Sequence, residues 1–566
     1  MSSISRQAVT APRPGDERVT GLVSERFDAL MATWPGLATY LGVHQHDGRL
    51  ADLSREATEA DMGAEAAFIS ALDGVAHESL SAHAGFERDV ALHAARLRLF
   101  MAEVHREWER RASAVDEVGD GLFMLLARDF APLRERLDPM TDRLEAAPAA
   151  LRRVRDRLGP RPVRLWNEME IAAAGGLPTL INEVVAAGRA VWSDGQPELR
   201  RLERAAEATR AALADYTAWL TSRLAGAVDE FALGAPDLDR LIALRAFDGL
   251  ASDDILAIGT EQLAAQHRAR REAAAEIDPH ADEAEVMEGV KRDGPADFEA
   301  ALRGYREAMF RARDFVGAHD LATLPEDEVL EVLPTPRYLR GVIPFAAYFG
   351  PPAFDRPARG VYVVTPSVDG HPGAMLEPSW SSIVNTSIHE AYPGHHPQHV
   401  AALTSASPAR LLVDAPEFVE GWGLYSEQLM LEHGFEDTAQ RRVIVATDAI
   451  WRAARIILDI RLQRGEIGVA EAVDFLVEHT GFERPNAAAE VSRYTRTPAY
   501  NLSYLLGKVL LLRLRDEEQR RLGGAFSLRG FHDAMLYSGS LPISFQRRLL
   551  RGEGGGPAGP SARPGA

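Results

Sequence analysis

The sequence predicts a mainly α fold carrying one small β-sheet, and three observations lead to that expectation. Apolar residues recur at three- and four-residue spacing through most of the chain, with Arg and Glu between them. Ala, Leu, Arg and Glu, all strong helix formers, dominate those segments. Strand-like runs are confined to one stretch, between residues 338 and 366. The 566 residues, 46% hydrophobic and 26% charged, suffice for a large buried core and more than one lobe.

Taken in order, residues 1–17 are polar and proline-containing and are expected to be flexible. Residues 18–550 form a mostly helical domain with a substrate cleft. VALHAARLRLFMAEVHREWERRA from Val90, LRRLERAAEATRAALADYTAWLTSRLAGAVDEF from Leu199 and FEAALRGYREAMFRARDFV from Phe298 are its clearest helical segments. Before them, His44, His46 and Asp47 read as a polar turn closed by Gly48. Residues 321–336 (LATLPEDEVLEVLPTP) are the best place for a junction between two lobes. Gly360–Pro366 (GVYVVTP) is β-branched and aromatic and reads as a strand ended by Pro366. Tyr338–Phe349, broken by Pro344, holds a strand or a turn. Residues 551–566, rich in Gly and Pro, read as a disordered tail.

Composition excludes several classes. The chain has no cysteine, so disulfides, thiolate ligands and cysteine nucleophiles are ruled out, and any metal must be held by His, Asp or Glu. A formal net charge of −20 disfavours nucleic acid and anionic membranes as partners. The first residues contain no apolar run of signal-peptide type. Apolar runs such as Tyr504–Gly507 are broken by charges well short of a membrane span, so a cytoplasmic location is expected. No phosphate-binding Gly-rich loop and no Gly-x-Ser-x-Gly elbow is found.

The chemistry concentrates at His389–His396, HEAYPGHH. Ser379 is placed to cap a helix that carries His389 and Glu390 near its end. In H-E-x-x-H, a four-residue spacing sets two imidazoles on one helix face above one ion, and the Glu takes a proton from the water that the ion activates. Here the fourth position is Pro393. Pro393-Gly394 should break the helix, and the fold-back brings either His395 or His396 to the place of the missing ligand. Downstream, Asp414 and Glu417 read as an N-cap and its capping-box partner. Glu420, beside Gly421 and Gly423, has no such structural explanation. Small residues there signal close approach by another backbone or a ligand. His389, His395 or His396, and Glu420 would supply two imidazoles and one carboxylate with a position left open, the pattern of a catalytic site. Glu427, seven residues on, shares the face of Glu420 and suits a group that orients a ligand imidazole.

HEAYPGHHPQ, the later EFVEGWGLYSEQ and Tyr504-Leu505-Leu506-Gly507-Lys508 together resemble the DUF885 family, and the similarity extends over most of the chain. That family is related to the helical gluzincin zinc metallopeptidases, among them angiotensin-converting enzyme, neurolysin-type oligopeptidases and thermostable carboxypeptidases. The resemblance implies a metallopeptidase-like fold with the sheet near the active site. It implies His389, His395 and Glu420 as ligands of one catalytic Zn2+, or another divalent ion, and Glu390 as general base. It also implies a late tyrosine that donates to the developing oxyanion: Tyr504, in a Ser-Tyr-x-x-Gly pattern, or its neighbour Tyr500. Gly423 departs from the more frequent Ala without touching the ligand set.

The expected function is therefore hydrolysis of peptide bonds in short peptides. Arg493, Arg496 and Lys508, near the tyrosines, are candidates to hold a peptide's terminal carboxylate, and His396 to lie behind the ligands or face substrate. Two other readings stay open: a hydrolase of non-peptide amides or esters using the same site, and a non-catalytic helical binding protein with a vestigial one.

Overall fold

The computed structural model describes residues 13–326, 328–336, 340, 343, 346–355, 358–366 and 378–555. Among these the chain is helical apart from one three-stranded sheet. The first helix, Pro14–Thr33, begins inside the segment expected to be flexible: Pro14 occupies the first turn, where its missing amide costs nothing. The part of the tail beyond Gly555 lies outside the described residues.

Helices Ala114–Ala127, Leu133–Arg157, Arg164–Val191 and Pro197–Arg223 pack as a bundle with its own apolar core, in which Leu144, Ile181, Leu202 and Tyr216 are buried. The Arg164–Val191 helix is long and apolar enough to cross a membrane, contrary to the impression that every apolar run falls short. In this fold it lies in the bundle, with Leu177, Ile181 and Val184 buried against its neighbours.

A second, larger core joins residues from both sides of 321–336, including Ile255, Tyr305, Tyr362, Ile388, Trp422, Ile456 and Leu506. The segment read as a junction instead contains β1 (Glu328–Pro334). With β2 (Ala346–Phe349) and β3 (Ala358–Val364) it forms a sheet of order β1-β3-β2. β1 runs parallel to β3 with Glu328 opposite Ala358, and β2 antiparallel with Ala346 opposite Val364. The β-branched run thus becomes the central strand, starting two residues before the predicted Gly360. Of the Tyr338–Phe349 stretch, Tyr338, Leu339, Gly341, Val342, Pro344 and Phe345 lie outside the described residues.

Two sets of contacts tie the bundle and the residues that precede it to the site lobe. The Trp166 indole donates to Thr495 Oγ1 (3.0 Å), and His105 Nε2 donates to the Arg496 carbonyl (3.1 Å). Near the sheet, His44 bridges Asp47 (2.8 Å) and Asp355 (3.0 Å) and stacks on Phe130 at 3.8 Å. Burial pulls its pKa down, but the two carboxylates outweigh that and raise it to about 9 from 6.5. The clamp's stabilisation is therefore whole below pH 6.5 and fades as the pH rises through about 9. Allowing for solvent screening, it is of order 1 kcal/mol. Denaturant midpoints test this: His44→Gln should lose stability at about pH 6 and match the parent at about pH 10. Equal losses at both would contradict a charged clamp.

Candidate metal centre

Ser379 caps the helix Trp380–Glu390 as predicted, its hydroxyl accepting from the Ser382 amide at 3.2 Å. The helix stops at Glu390, residues 391–394 form a turn containing a cis Tyr392–Pro393 peptide, and a new helix, His395–Ala402, starts with Pro397 in its first turn. The reversal is tight. The Gly394 amide donates to the Ile388 carbonyl (3.1 Å), and a Cβ on Gly394 would overlap the carbonyl oxygen of His389. Glycine is thus required by close approach. The Trp422 indole, from the next motif, donates to the Pro393 carbonyl at 2.8 Å and pins the turn from the other side.

The fold-back brings His395, and not His396, to His389. The two rings lie 4.7 Å apart at 87°. Helix Pro416–Glu432 supplies the carboxylate: Glu420 Oε2 is 3.8 Å from His389 Nε2 and 3.6 Å from His395 Nε2. One donor atom from each of the three residues lies within 4.8 Å of the others. His389 Nδ1 donates to Glu427 Oε1 at 2.8 Å, which leaves Nε2 as the ring atom that faces Glu420. His395 Nδ1 is 3.3 Å from Gln398 Oε1, and the Gln398 amide donates to the Phe418 carbonyl. Burial of His389 is outweighed by Glu420 and Glu427, which raise its pKa to about 10. Burial of Glu420 is likewise outweighed by the two imidazoles, which hold it far below the usual carboxylate range. Such an arrangement of borderline nitrogen and hard oxygen donors fits a divalent ion such as zinc.

The small residues around Glu420 serve two purposes. Gly421 meets Gly507 of helix Ser503–Leu522, where a Cβ would sit 2.6 Å from the Gly507 carbonyl carbon. At Gly423 a Cβ would lie 2.6 Å from His389 Cε1, so its absence lets the imidazole rest against the helix backbone.

His396 points away, into the sheet. Its Nε2 donates to Glu328 Oε2 (2.7 Å), and its Nδ1 accepts from the Tyr348 hydroxyl (2.9 Å). The Tyr392 hydroxyl and Arg313 complete the coordination of Glu328, at 2.6 and 3.1 Å. β3 makes room for this cluster at Gly360, where a Cβ would come 2.6 Å from His396 Nδ1. His396 thus fixes the sheet to the turn after the first motif.

The centre opens into a cavity of about 430 Å³ lined by His389, Glu390, His395, Glu420 and Tyr504, with Glu427 and His399 among its walls. Tyr504 lies in the cavity wall, with the Tyr500 ring 6.2 Å away. Buried Asp459 holds the turn before it, accepting from the Ala499 amide (2.9 Å) and from the backbone and side chain of Asn501 (3.1 and 2.9 Å). Tyr504 is pushed well above its ordinary pKa by burial and by the Glu420 charge, so its hydroxyl remains a donor at neutral pH.

The predicted cation group is not assembled here. Arg493 is paired with Glu490 at 2.6 Å, and Arg496 faces Asp116 (3.7 Å) and Glu107 (3.9 Å) of the bundle. Lys508 is buried on the helix that crosses at Gly507, outside the cavity lining. Proximity in sequence to a tyrosine does not determine which helix face points into a cleft. The cavity's cations are instead Arg452 and Arg455, next to Trp451, all on helix Ala439–Gln463.

Residues 35–550 match the family described as bacterial protein of unknown function, DUF885. The chain belongs to the DUF885 family. Its fold is shared with a protein described as "a putative lipoprotein of unknown function" from Shewanella oneidensis, at 20% identity and a TM-score of 0.76 over 94% of this chain and 99% of that one. A "putative lipoprotein" from Colwellia psychrerythraea aligns at 18% identity and a TM-score of 0.80 over 94% of this chain and 98% of the other. No curated protein matches.

In this DUF885 chain two expectations around Glu420 are corrected. The helix begins at Pro416 with Ala415 at its cap, so Asp414 caps nothing and instead faces Arg245 at 3.4 Å. Glu417 makes no capping box. It is buried beneath the Gly507 crossing, and burial pushes its carboxyl up to about 8. Three features of the site were not anticipated: the Trp422–Pro393 bond, the Glu328–His396 pair and the Arg452–Arg455 wall. Asp448, Arg452, Arg455 and Asp459, charges recurring within an apolar helix, were the available signal for the last.

Proposed function

We propose that this chain is a metal-dependent hydrolase, a zinc peptidase acting on short peptides and related in mechanism to the helical gluzincins. The observation that carries the reading is the convergence of His389 Nε2, His395 Nε2 and Glu420 Oε2 on one point, with Glu390 lining the same cavity. A divalent ion held by those donors would supply Lewis acidity at the scissile carbonyl. Glu390 would take a proton from the attacking water and return it to the leaving amine. Tyr504 donates its hydroxyl proton in a hydrogen bond to the oxygen on which charge develops. Glu427 holds His389 in the tautomer and orientation that ligation needs.

The test pairs metal content with turnover. Purified protein is expected to carry about one zinc per chain and to cleave members of a panel of peptides, N-acyl amino acids and esters. Chelation should stop cleavage and zinc should restore it. Protein that binds no divalent ion would contradict the reading, and cleavage of esters alone would shift it away from peptides. Glu427→Ala is expected to weaken zinc binding about 10- to 100-fold. Competition with a chromophoric chelator measures this, and unchanged affinity would remove Glu427 from the support of His389.

A further inference from the structure

The two cations of the cavity are not equivalent. Arg455 is fully engaged: it meets Glu490 at 3.1 Å and the Tyr494 hydroxyl at 3.1 Å, and its guanidinium lies 3.8 Å from the Trp451 ring centre and 4.7 Å from that of Tyr504. It serves to hold the walls. Arg452 lies 4.4 Å from the Trp451 ring centre, and its hydrogen bonds among the described residues go to Asp448 alone, through Nη1, at 3.2 Å to the carboxylate and 3.3 Å to the carbonyl. Its Nε is buried without a hydrogen-bond partner among the described residues. The Nη2 edge of the guanidinium makes no hydrogen bond among the described residues, and Arg452 forms part of the cavity wall, so this edge is left to bond a carboxylate.

The position of this edge is set by the metal centre itself. Asp448 accepts from Asn385 Nδ2 (3.2 Å), the same amide donates to Glu427 (3.0 Å), and Glu427 holds His389 (2.8 Å). Arg452 is thus linked through four short contacts to a residue of the triad. The lining also carries Glu390, Glu420, Glu427 and Asp448, so an anion is favoured beside the two arginines, of which Arg455 is already paired with Glu490. A short substrate with its carbonyl at Glu390 and a free carboxylate can set that charge against Arg452.

We infer that Arg452 binds the free α-carboxylate of the substrate, so that the site acts on peptides or acyl amino acids at their carboxyl end. This rests on the hydrolase reading above, and the experiment separates the two. Calorimetric titration uses zinc-loaded Glu390→Gln protein with N-acetylated Ala-Ala, Ala-Leu and Ala-Phe, each as free acid and as carboxamide. At least one acid is expected to bind about tenfold or more tightly than its amide. In the Glu390→Gln/Arg452→Gln protein the two forms should bind equally, with the amide's affinity unchanged. That unchanged affinity shows that the site is still folded. Arg493→Gln in the same background should leave the preference intact. Equal binding of acid and amide, no binding of any acid, or a preference surviving Arg452→Gln would overturn the assignment. A preference for acids in a protein that hydrolyses nothing would sink the hydrolase reading and leave the carboxylate site standing.

Discussion

Glu390→Gln is expected to lower kcat by about 10²- to 10⁴-fold while the protein still carries about one zinc per chain. Glutamine keeps the shape of the side chain and loses only its capacity to accept a proton. Glu390 is next to His389 at the end of its helix and lines the cavity, but belongs neither to the ligand triad nor to the contacts that orient it. Zinc content and thermal midpoint should therefore match the parent. Hydrolysis at a similar rate in the variant would show that another group takes the proton, and loss of zinc would show that Glu390 is itself a ligand.

Gly394→Ala is expected to be the most damaging single methyl in the site. The added carbon would overlap the His389 carbonyl oxygen and press on that of Ile388, which is backbone that cannot rotate aside. Relief requires opening the turn, and the turn is what delivers His395 to Glu420. The expected cost is about 3 kcal/mol of stability, together with a fall in zinc affinity of about 100-fold or more as one ligand is displaced. Denaturant unfolding and zinc titration measure the two effects separately. A variant of parental stability and zinc affinity would mean that the turn is not held as described.

Much of this centre was legible in the sequence because local rules govern it. Ser379 is a cap with a helical rhythm behind it, Pro393 cannot continue the helix, and Gly394 permits the reversal that follows. The seven-residue spacing of Glu420 and Glu427 puts both on one helix face, and both line the cavity. The choice between His395 and His396 was not settled by spacing, because adjacent residues at a helix start diverge by a rotation that only the turn geometry sets. What the local rules do not reach is contact across the fold. Glu328 is far from His396 in sequence, and only the sheet register brings them together. Asp414 and Glu417 fitted a capping pattern whose start was displaced by one residue, because Pro416 took the first helical position and left Ala415 at the cap. Arg493 and Arg496 lie beside the right tyrosines but turn to Glu490 and the bundle. The large share of helix followed directly from periodicity, whereas the larger core, which joins residues from both sides of 321–336, depends on tertiary packing that a composition shift cannot reveal.

Crystallographic location of bound zinc by anomalous scattering at the zinc edge tests the central claim most directly. One strong peak is expected at about 2.0–2.2 Å from His389 Nε2, His395 Nε2 and a carboxylate oxygen of Glu420, with His396 still on Glu328. A zinc-soaked crystal with no peak there, or with the ion on His396 and its neighbours, would contradict it.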